Sequence, residues 1–142
     1  MQHAATDPDG PRAPSILGAH SLREIEAEPL EHWLPASSMY GLLQHAAARY
    51  GDRPALTYLP SGDVHAAPEV TSYAQLLANV TRAANLFHAL GVGPDDSVAL
   101  MAPNMPETHF ALWGAEAVAR ACPINILLDA GHAAELVRAA HG

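Results

Sequence analysis

The sequence predicts an α/β protein built on a βαβ unit, with a short hairpin and about four helices, and three observations predict it. Leu76, Val80, Ala83, Phe87 and Leu90 recur four, three, four and three apart, with Leu77 and Ala84 widening the stripe. That spacing is the core-facing side of a helix. Two short apolar runs, Ser97-Val98-Ala99-Leu100-Met101 and Ala121-Cys122-Pro123-Ile124-Asn125-Ile126, flank a helical stretch. Strand, helix, strand is a βαβ unit whose strands run parallel, with a right-handed crossover. Upstream, Ala55-Leu56-Thr57-Tyr58-Leu59 reads as a strand followed by the turn chemistry of Pro60-Ser61-Gly62-Asp63.

Residues 1–36 differ from the rest. Pro11, Pro14, Pro29, Pro35 and the acidic cluster Glu24, Glu26, Glu28 and Glu31 fall there, without a sustained period of 2 or 3.6. The segment is expected to be a loosely attached arm, mobile before about Ser21, with the acidic cluster as a solvated face. Leu22, Ile25, Leu30, Trp33 and Leu34 are its candidates for docking on a neighbouring surface.

From Ser37 the signals sharpen. Ser37 or Ser38 caps a helix through Tyr40, Leu42, Leu43, Ala46 and Ala47 to Tyr50, and Gly51 stops it. The return strand of the hairpin, Val64 to Val70, is weak because Pro68 cannot donate to a ladder. Thr71 or Ser72 caps the long helix from Tyr73 to about Leu90, and Gly91 ends it. Gly93-Pro94-Asp95-Asp96 turns the chain into the first βαβ strand, expected to be buried. The next helix has Asn104 or Met105 near its cap, Pro106 early and Glu107 in its first turn. Its core face is expected at Phe110, Trp113, Ala117 and Val118. Asp129 caps a last helix through Leu136 and Val137. Parallel strands are normally buried on both faces and flanked by more strands. Only two are available here, so the sheet looks unfinished.

Composition narrows function. The 142 residues are 49% apolar, enough for a core. Fifteen acidic residues against seven Arg give a net charge of −8, and there is no Lys. That balance argues against nucleic acid and anionic membrane surfaces, which need clustered Lys or Arg. It also removes Schiff-base chemistry, a phosphate-loop Lys and a Lys general base from this stretch. The single Cys, Cys122, excludes an intramolecular disulfide framework and a multi-thiolate zinc site. No apolar run reaches the roughly 18 residues of a membrane span, since Glu116 and Arg120 interrupt Phe110–Leu128. Met1 to Asp7 lacks the basic head and apolar stretch of a signal peptide, so the cytoplasm is the expected compartment.

No constellation for chemistry emerges from spacing. Gly91-Val92-Gly93 follows a helix and opens a strand, the reverse of a dinucleotide loop, and reads as a helix stop plus turn. No two of the nine His stand three or four apart on one helix. His132 and Glu135 form half of a carboxylate-bridged metal motif, with no second half. His88 is expected to face solvent. Cys122, before Pro123 in an apolar strand, reads as a buried structural thiol. Trp33 and Trp113 read as packing residues, and no Ser stands in a Gly-x-Ser-x-Gly context.

Five passages in order carry a resemblance. They are Ala48-Arg49-Tyr50-Gly51-Asp52-Arg53-Pro54-Ala55-Leu56, Thr71-Ser72-Tyr73-Ala74-Gln75-Leu76, the run from Ala83 to Ala99, Met101-Ala102-Pro103-Asn104-Met105-Pro106-Glu107, and Ala121-Cys122-Pro123-Ile124-Asn125. From about Ser37 onward the chain resembles the beginning of an AMP-forming acyl-CoA synthetase, a member of the adenylating acyl/aryl-CoA ligases. Two features depart from the pattern. Asp95-Asp96 stands where the family has Gly-Asp, and the stretch between Leu59 and Thr71 is longer and richer in Pro.

The resemblance implies a ligase that joins a carboxylate to ATP, releases pyrophosphate and passes the acyl group to coenzyme A. It implies ATP, Mg²⁺ and coenzyme A for the full-length family, and none bound by this chain alone. The family's phosphate loop, adenine- and ribose-binding segments, Mg²⁺-associated Glu and adenylation lysine match no position here. No catalytic, cofactor-binding or metal residue is therefore assigned. Asn104, Pro106 and Glu107 match a family motif at a strand-to-helix turn and read as cap and turn residues.

The chain is expected to be an arm, residues 1–36, followed by the truncated start of the adenylating domain, residues 37–142, inactive alone. Whether it is an enzyme by itself stays open. The alternatives are a stand-alone interaction module that oligomerises or completes its sheet with a second polypeptide, and a metal or ligand carrier using the His. A compact chain of this length buries about 70% of its unfolded surface. Here exposed strand edges and helix faces predict marginal stability in isolation.

Overall fold

The computed structural model of the chain describes residues 19–29, 31, 34–61, 63 and 65–140. The chain divides into two units, Met1–Leu34 and Pro35–Gly142.

In the first unit, the described residues form a helix, α1 (Ala19–Ala27), closed by a hydrogen bond from the Glu28 amide to the Ile25 carbonyl. A helix there differs from the sequence expectation. Its only large apolar residues are Leu22 and Ile25, too short a stripe to register as a period. Leu22 is exposed and Ile25 half-buried, while Glu26, Glu28 and Glu31 are exposed. Leu30 and Trp33, the Glu24 side chain and the residues before Ala19 lie outside the described residues.

The second unit opens with α2 (Met39–Tyr50). Ser38 caps it, its hydroxyl accepting from the Gly41 amide at 3.1 Å. Gly51 stops it at φ +43°, a left-handed conformation that a Cβ disfavours. Next come strands β1 (Pro54–Tyr58) and β2 (Glu69–Ser72), an antiparallel pair with an irregularity between Pro54 and Leu56. β2 begins after Pro68 rather than near Val64, as the missing proline N–H requires. Gly62 and Val64 lie outside the described residues.

Ser72 ends β2 and also caps α3 (Tyr73–Ala89). The cap is a complete capping box: Ser72 Oγ accepts from the Gln75 amide at 3.2 Å, and Gln75 Oε1 accepts from the Ser72 amide at 2.9 Å. The Tyr50 and Tyr73 rings meet at 5.3 Å, tying the end of α2 to the start of α3. Tyr40 and Thr81 hydroxyls join the same two helices at 2.8 Å. Leu76, Val80 and Ala84 are the buried positions of α3. Leu90, expected in the stripe, is 70% exposed. It is the C-cap, where helical periodicity has ended. Gly91 follows at φ +86°.

Strand β3 (Ser97–Leu100), helix α4 (Pro106–Glu116) and strand β4 (Arg120–Pro123) form the βαβ unit. β3 and β4 pair in parallel, Ser97 opposite Arg120 and Leu100 opposite Pro123. The turn before β3 is closed by Asp96, whose carboxylate accepts from the Gly93 amide at 2.8 Å. No non-glycine residue described has positive φ, so Asp95 fills its turn position without backbone strain.

The core lies between α3 and α4. α4 buries Pro106, Gly114 and Ala115, not the expected Phe110, Trp113, Ala117 and Val118. Phe110, Trp113 and Val118 are half-buried and Ala117 is exposed. Close approach explains the exchange. A Cβ on Gly114 would lie 2.5 Å from Ala83 Cβ and 2.9 Å from the Ala84 nitrogen. The helices touch through their smallest side chains, and the larger ones flank the seam.

The last element is α5 (Ala130–Ala140), giving five helices among the described residues against the four or so expected. It buries no side chain. The described strands form two separate two-stranded sheets. β3, expected to be buried, is half-covered, with Ala99 exposed; among the described residues β4 is its only strand neighbour.

Candidate functional site

β3 and β4 are parallel, so both leave the sheet at the same end. The Ile124 amide bonds the Leu100 carbonyl there at 2.8 Å. In open α/β sheets, ligands sit in the crevice outside the carboxyl ends of the strands. Here that end is the turn Met101–Met105 before α4 and the loop Ile124–Asp129 before α5.

The turn is ordered by backbone contacts rather than by a side-chain cap. Met105 is the N-cap of α4 and offers no side-chain acceptor. Thr108 Oγ1 donates to the Pro103 carbonyl, and the Thr108 amide donates to the Met105 carbonyl at 3.1 Å. His109 Nδ1 also lies 3.1 Å from the Met105 carbonyl, which can only accept, so Nδ1 is the donor. Pro106 is buried, and its preset φ suits the first helical position. Asn104 and Glu107 are exposed. Of the three motif residues at this turn, Pro106 is structural, Glu107 carries negative charge at a positive helix end, and Asn104 faces solvent.

The hairpin folds over this turn and leaves a cleft on each side of Pro106. One, about 220 Å³, lies between β1 and the turn, with Tyr58, Asn104 and His109 on its walls. The other, about 550 Å³, runs along β2 between α3 and α4, with Glu69, Gln75, Arg82 and Glu107. Arg82 is held by Asn79 Oδ1 and Gln75 by its capping box. Neither cleft contains a nucleophile with an adjacent base. His109 and Arg82 line these clefts because the hairpin packs on α3 and lies beside the Asn104–His109 turn, a long-range event with no signature in their local spacing.

The other sequence candidates take structural places. Gly91 and Val92 amides bond the His88 and Phe87 carbonyls at 3.0 Å each, so Gly91-Val92-Gly93 is a helix stop and turn. His88 is exposed. Cys122 is half-buried rather than buried, its strand having one strand neighbour among the described residues. Trp113 is half-buried beside the helix seam, and Trp33 lies outside the described residues. His132, half of the motif that lacked a second half, bonds Asp129 Oδ2 through its Nδ1. Asp129 Oδ1 accepts from the Gly131 and His132 amides at 2.9 and 3.1 Å, as a helix cap. These donors, the His132 ring first, hold the Asp129 carboxyl below its ordinary value of 3.8. Among the described residues no group of three or more His, Cys, Asp or Glu is placed to hold a metal ion. No helix among them is long and apolar enough to cross a membrane.

A hairpin, a helix pair and a two-stranded parallel sheet whose carboxyl ends open to solvent define the opening portion of a larger α/β domain. The family model of the AMP-binding enzyme matches residues 43–141, and the chain belongs to that family. It is 40% identical over 122 residues to the marinolic acid–CoA ligase of a Pseudoalteromonas species, covering 86% of this chain and 19% of that protein. It is 40% identical over 80 residues to the crotonobetaine/carnitine–CoA ligase of Salmonella paratyphi A, covering 56% of this chain and 15% of that one. The crystal structure of the N-terminal domain of FACL13 from Mycobacterium tuberculosis superposes with a TM-score of 0.61 at 30% identity, over 74% of this chain and 26% of that one. The chain thus spans less than one fifth of the length of these two curated relatives. The expected α/β start of an acyl-CoA ligase is what the fold and these relatives show.

Proposed function

We propose that residues 37–142 are the first part of the adenylating domain of an ATP-dependent acid–thiol ligase, preceded by an attached arm, residues 1–36. The 40% identity to a carboxylate–CoA ligase over most of the chain carries this reading. In the complete reaction a carboxylate oxygen attacks the α-phosphorus of ATP and pyrophosphate leaves. The coenzyme A thiolate then attacks the acyl carbon and AMP leaves. This stretch is the scaffold under the site and brings no lysine or phosphate loop to the triphosphate. The cytoplasm, where ATP and coenzyme A are abundant, is the proposed compartment.

The test is the mass of the native polypeptide, by immunoblot and intact mass, together with ATP–pyrophosphate exchange. The 142-residue chain alone is expected to show no exchange with any carboxylate, and exchange by it would refute the reading. A native species several-fold heavier than 15.0 kDa places the missing chemistry on the same polypeptide. A species at 15.0 kDa that forms a defined oligomer supports the interaction-module alternative instead.

A further inference from the structure

The main chain of β1 has an edge that the hairpin does not use. The Tyr73 amide crosses to the Arg53 carbonyl at 3.1 Å, while the Ser72 amide turns aside to Gln75 Oε1 at 2.9 Å. Main-chain groups alternate between the two edges of a strand, so Thr71 and Glu69 carry the ladder and Val70 does not. Thr57 stands opposite Val70, between the pairs Leu56–Thr71 and Tyr58–Glu69. Its N–H and C=O therefore point away from β2, which is the only strand paired with β1 among the described residues. That edge opens on the smaller cleft beside Pro106. Leu56, Thr57 and Tyr58 all line it, although side chains of consecutive strand residues point to opposite faces. The main chain at Thr57 is thus part of the wall. Asn104 and His109 also line the cleft, the His109 ring anchored through Nδ1 to the Met105 carbonyl at 3.1 Å.

We propose that this cleft binds a small aromatic primary carboxamide, held at two points by the Thr57 main chain. Three features select that class. The C=O and one N–H of a primary carboxamide lie side by side, as do the N–H and C=O that a strand residue presents on one edge. The Thr57 N–H donates to the ligand oxygen, and the ligand N–H donates to the Thr57 carbonyl. No Asp, Glu or Arg lines the cleft, so nothing there compensates a charged ligand, while Leu56, Met105 and Pro106 offer apolar surface to a ring. The volume of about 220 Å³ falls below the roughly 300–1,000 Å³ of drug-sized sites and suits a single ring with one polar group. Asn104 supplies a side-chain oxygen for the second ligand N–H. The inference goes beyond the ligase reading and does not depend on it.

The test is an amide-resolved NMR titration of the 142-residue chain with benzamide, N,N-dimethylbenzamide and benzoate. Benzamide is expected to give saturable shifts centred on the amides of Thr57, Tyr58 and Asn104, with Val80 and Ala84 in the core unmoved. Dimethylbenzamide lacks the N–H for the Thr57 carbonyl, and benzoate also carries a charge. Each is expected to bind about tenfold more weakly, the worth of one hydrogen bond. Thr57→Pro removes the outward N–H at an edge position that tolerates proline, and is expected to weaken benzamide about tenfold. Asn104→Ala, at an exposed turn position, is expected to weaken it about threefold without disturbing the strand. Absence of saturable shifts overturns the proposal. So does benzoate or dimethylbenzamide binding as tightly as benzamide, since neither can use both Thr57 groups. Shifts centred on the Glu69–Arg82 groove place the ligand elsewhere and overturn it too. Benzamide affinity unchanged in Asn104→Ala and in a folded Thr57→Pro does the same.

Discussion

α3 and α5 are both amphipathic helices, yet only one of them has found its partner. α3 packs on α2, α4 and the hairpin, and Val80 at its centre is fully buried. α5 keeps Leu136 nearly half exposed and is anchored by polar contacts at its ends. The first contact is made by elements close in sequence, from Met39 to Glu116. The second is not made among the described residues, where α5 has no buried side chain. Amphipathicity alone states that a face will be covered; topology decides whether the cover lies within the same stretch.

The sharpest way to break the comparison is to empty the covered side. Leu76 is 6% exposed beneath the hairpin and α4. Leu76→Ala is expected to cost about 3 kcal/mol, lost transfer energy plus a cavity, read by denaturant or thermal unfolding. Loss of that size is a large part of a small domain's stability. Gly114→Ala attacks the same seam by overfilling it. The added methyl meets Ala83 Cβ and the Ala84 backbone, neither of which can rotate away. The expected cost is about 2 kcal/mol, with α3 and α4 moved apart. An unchanged melting midpoint in Gly114→Ala would show that the seam is looser than its geometry.

The capping box tests the local half of α3's stability. Ser72→Ala removes the acceptor for the Gln75 amide and leaves the Gln75 side chain bonding alone. The expected loss is about 1 kcal/mol, with Ser72→Asp restoring most of it. This cap was legible in the sequence, as were the glycine stops at Gly51 and Gly91 and the Asp129 cap. Each depends on a few adjacent residues, and that is why spacing reveals it. The stripe of α3 was legible for the same reason, up to the point where the helix ends at Leu90. Gly114 was not legible, because a glycine inside a helix reads as a local cost until a second helix is laid against it. The two clefts flanking Pro106 were equally hidden. They exist because β1 and β2 pack on α3 beside the turn before α4, and no local pattern around His109 or Arg82 encodes that placement. Function followed the same division: five short passages in order pointed to the family whose model matches residues 43–141.

The smallest expected effect lies on the uncovered side and sharpens the contrast most directly. Asp129 caps α5 through the His132 ring and the Gly131 and His132 amides, and its carboxyl is held below the ordinary value of 3.8. A carboxylate whose folded value is depressed adds stability above its unfolded value and loses it as pH falls through the folded one. Acidification through and below that range is therefore expected to release the α5 cap. Hydrogen exchange should show faster amide exchange from Gly131 to Ala140 there, while α3 amides keep their protection. The Asp129→Ala variant, which lacks the accepting oxygens, is expected to exchange rapidly in α5 at every pH and to lose the pH step. A step of equal size in α3 would mean that α5 is coupled to the core after all, and that the two helices differ less than their burial implies.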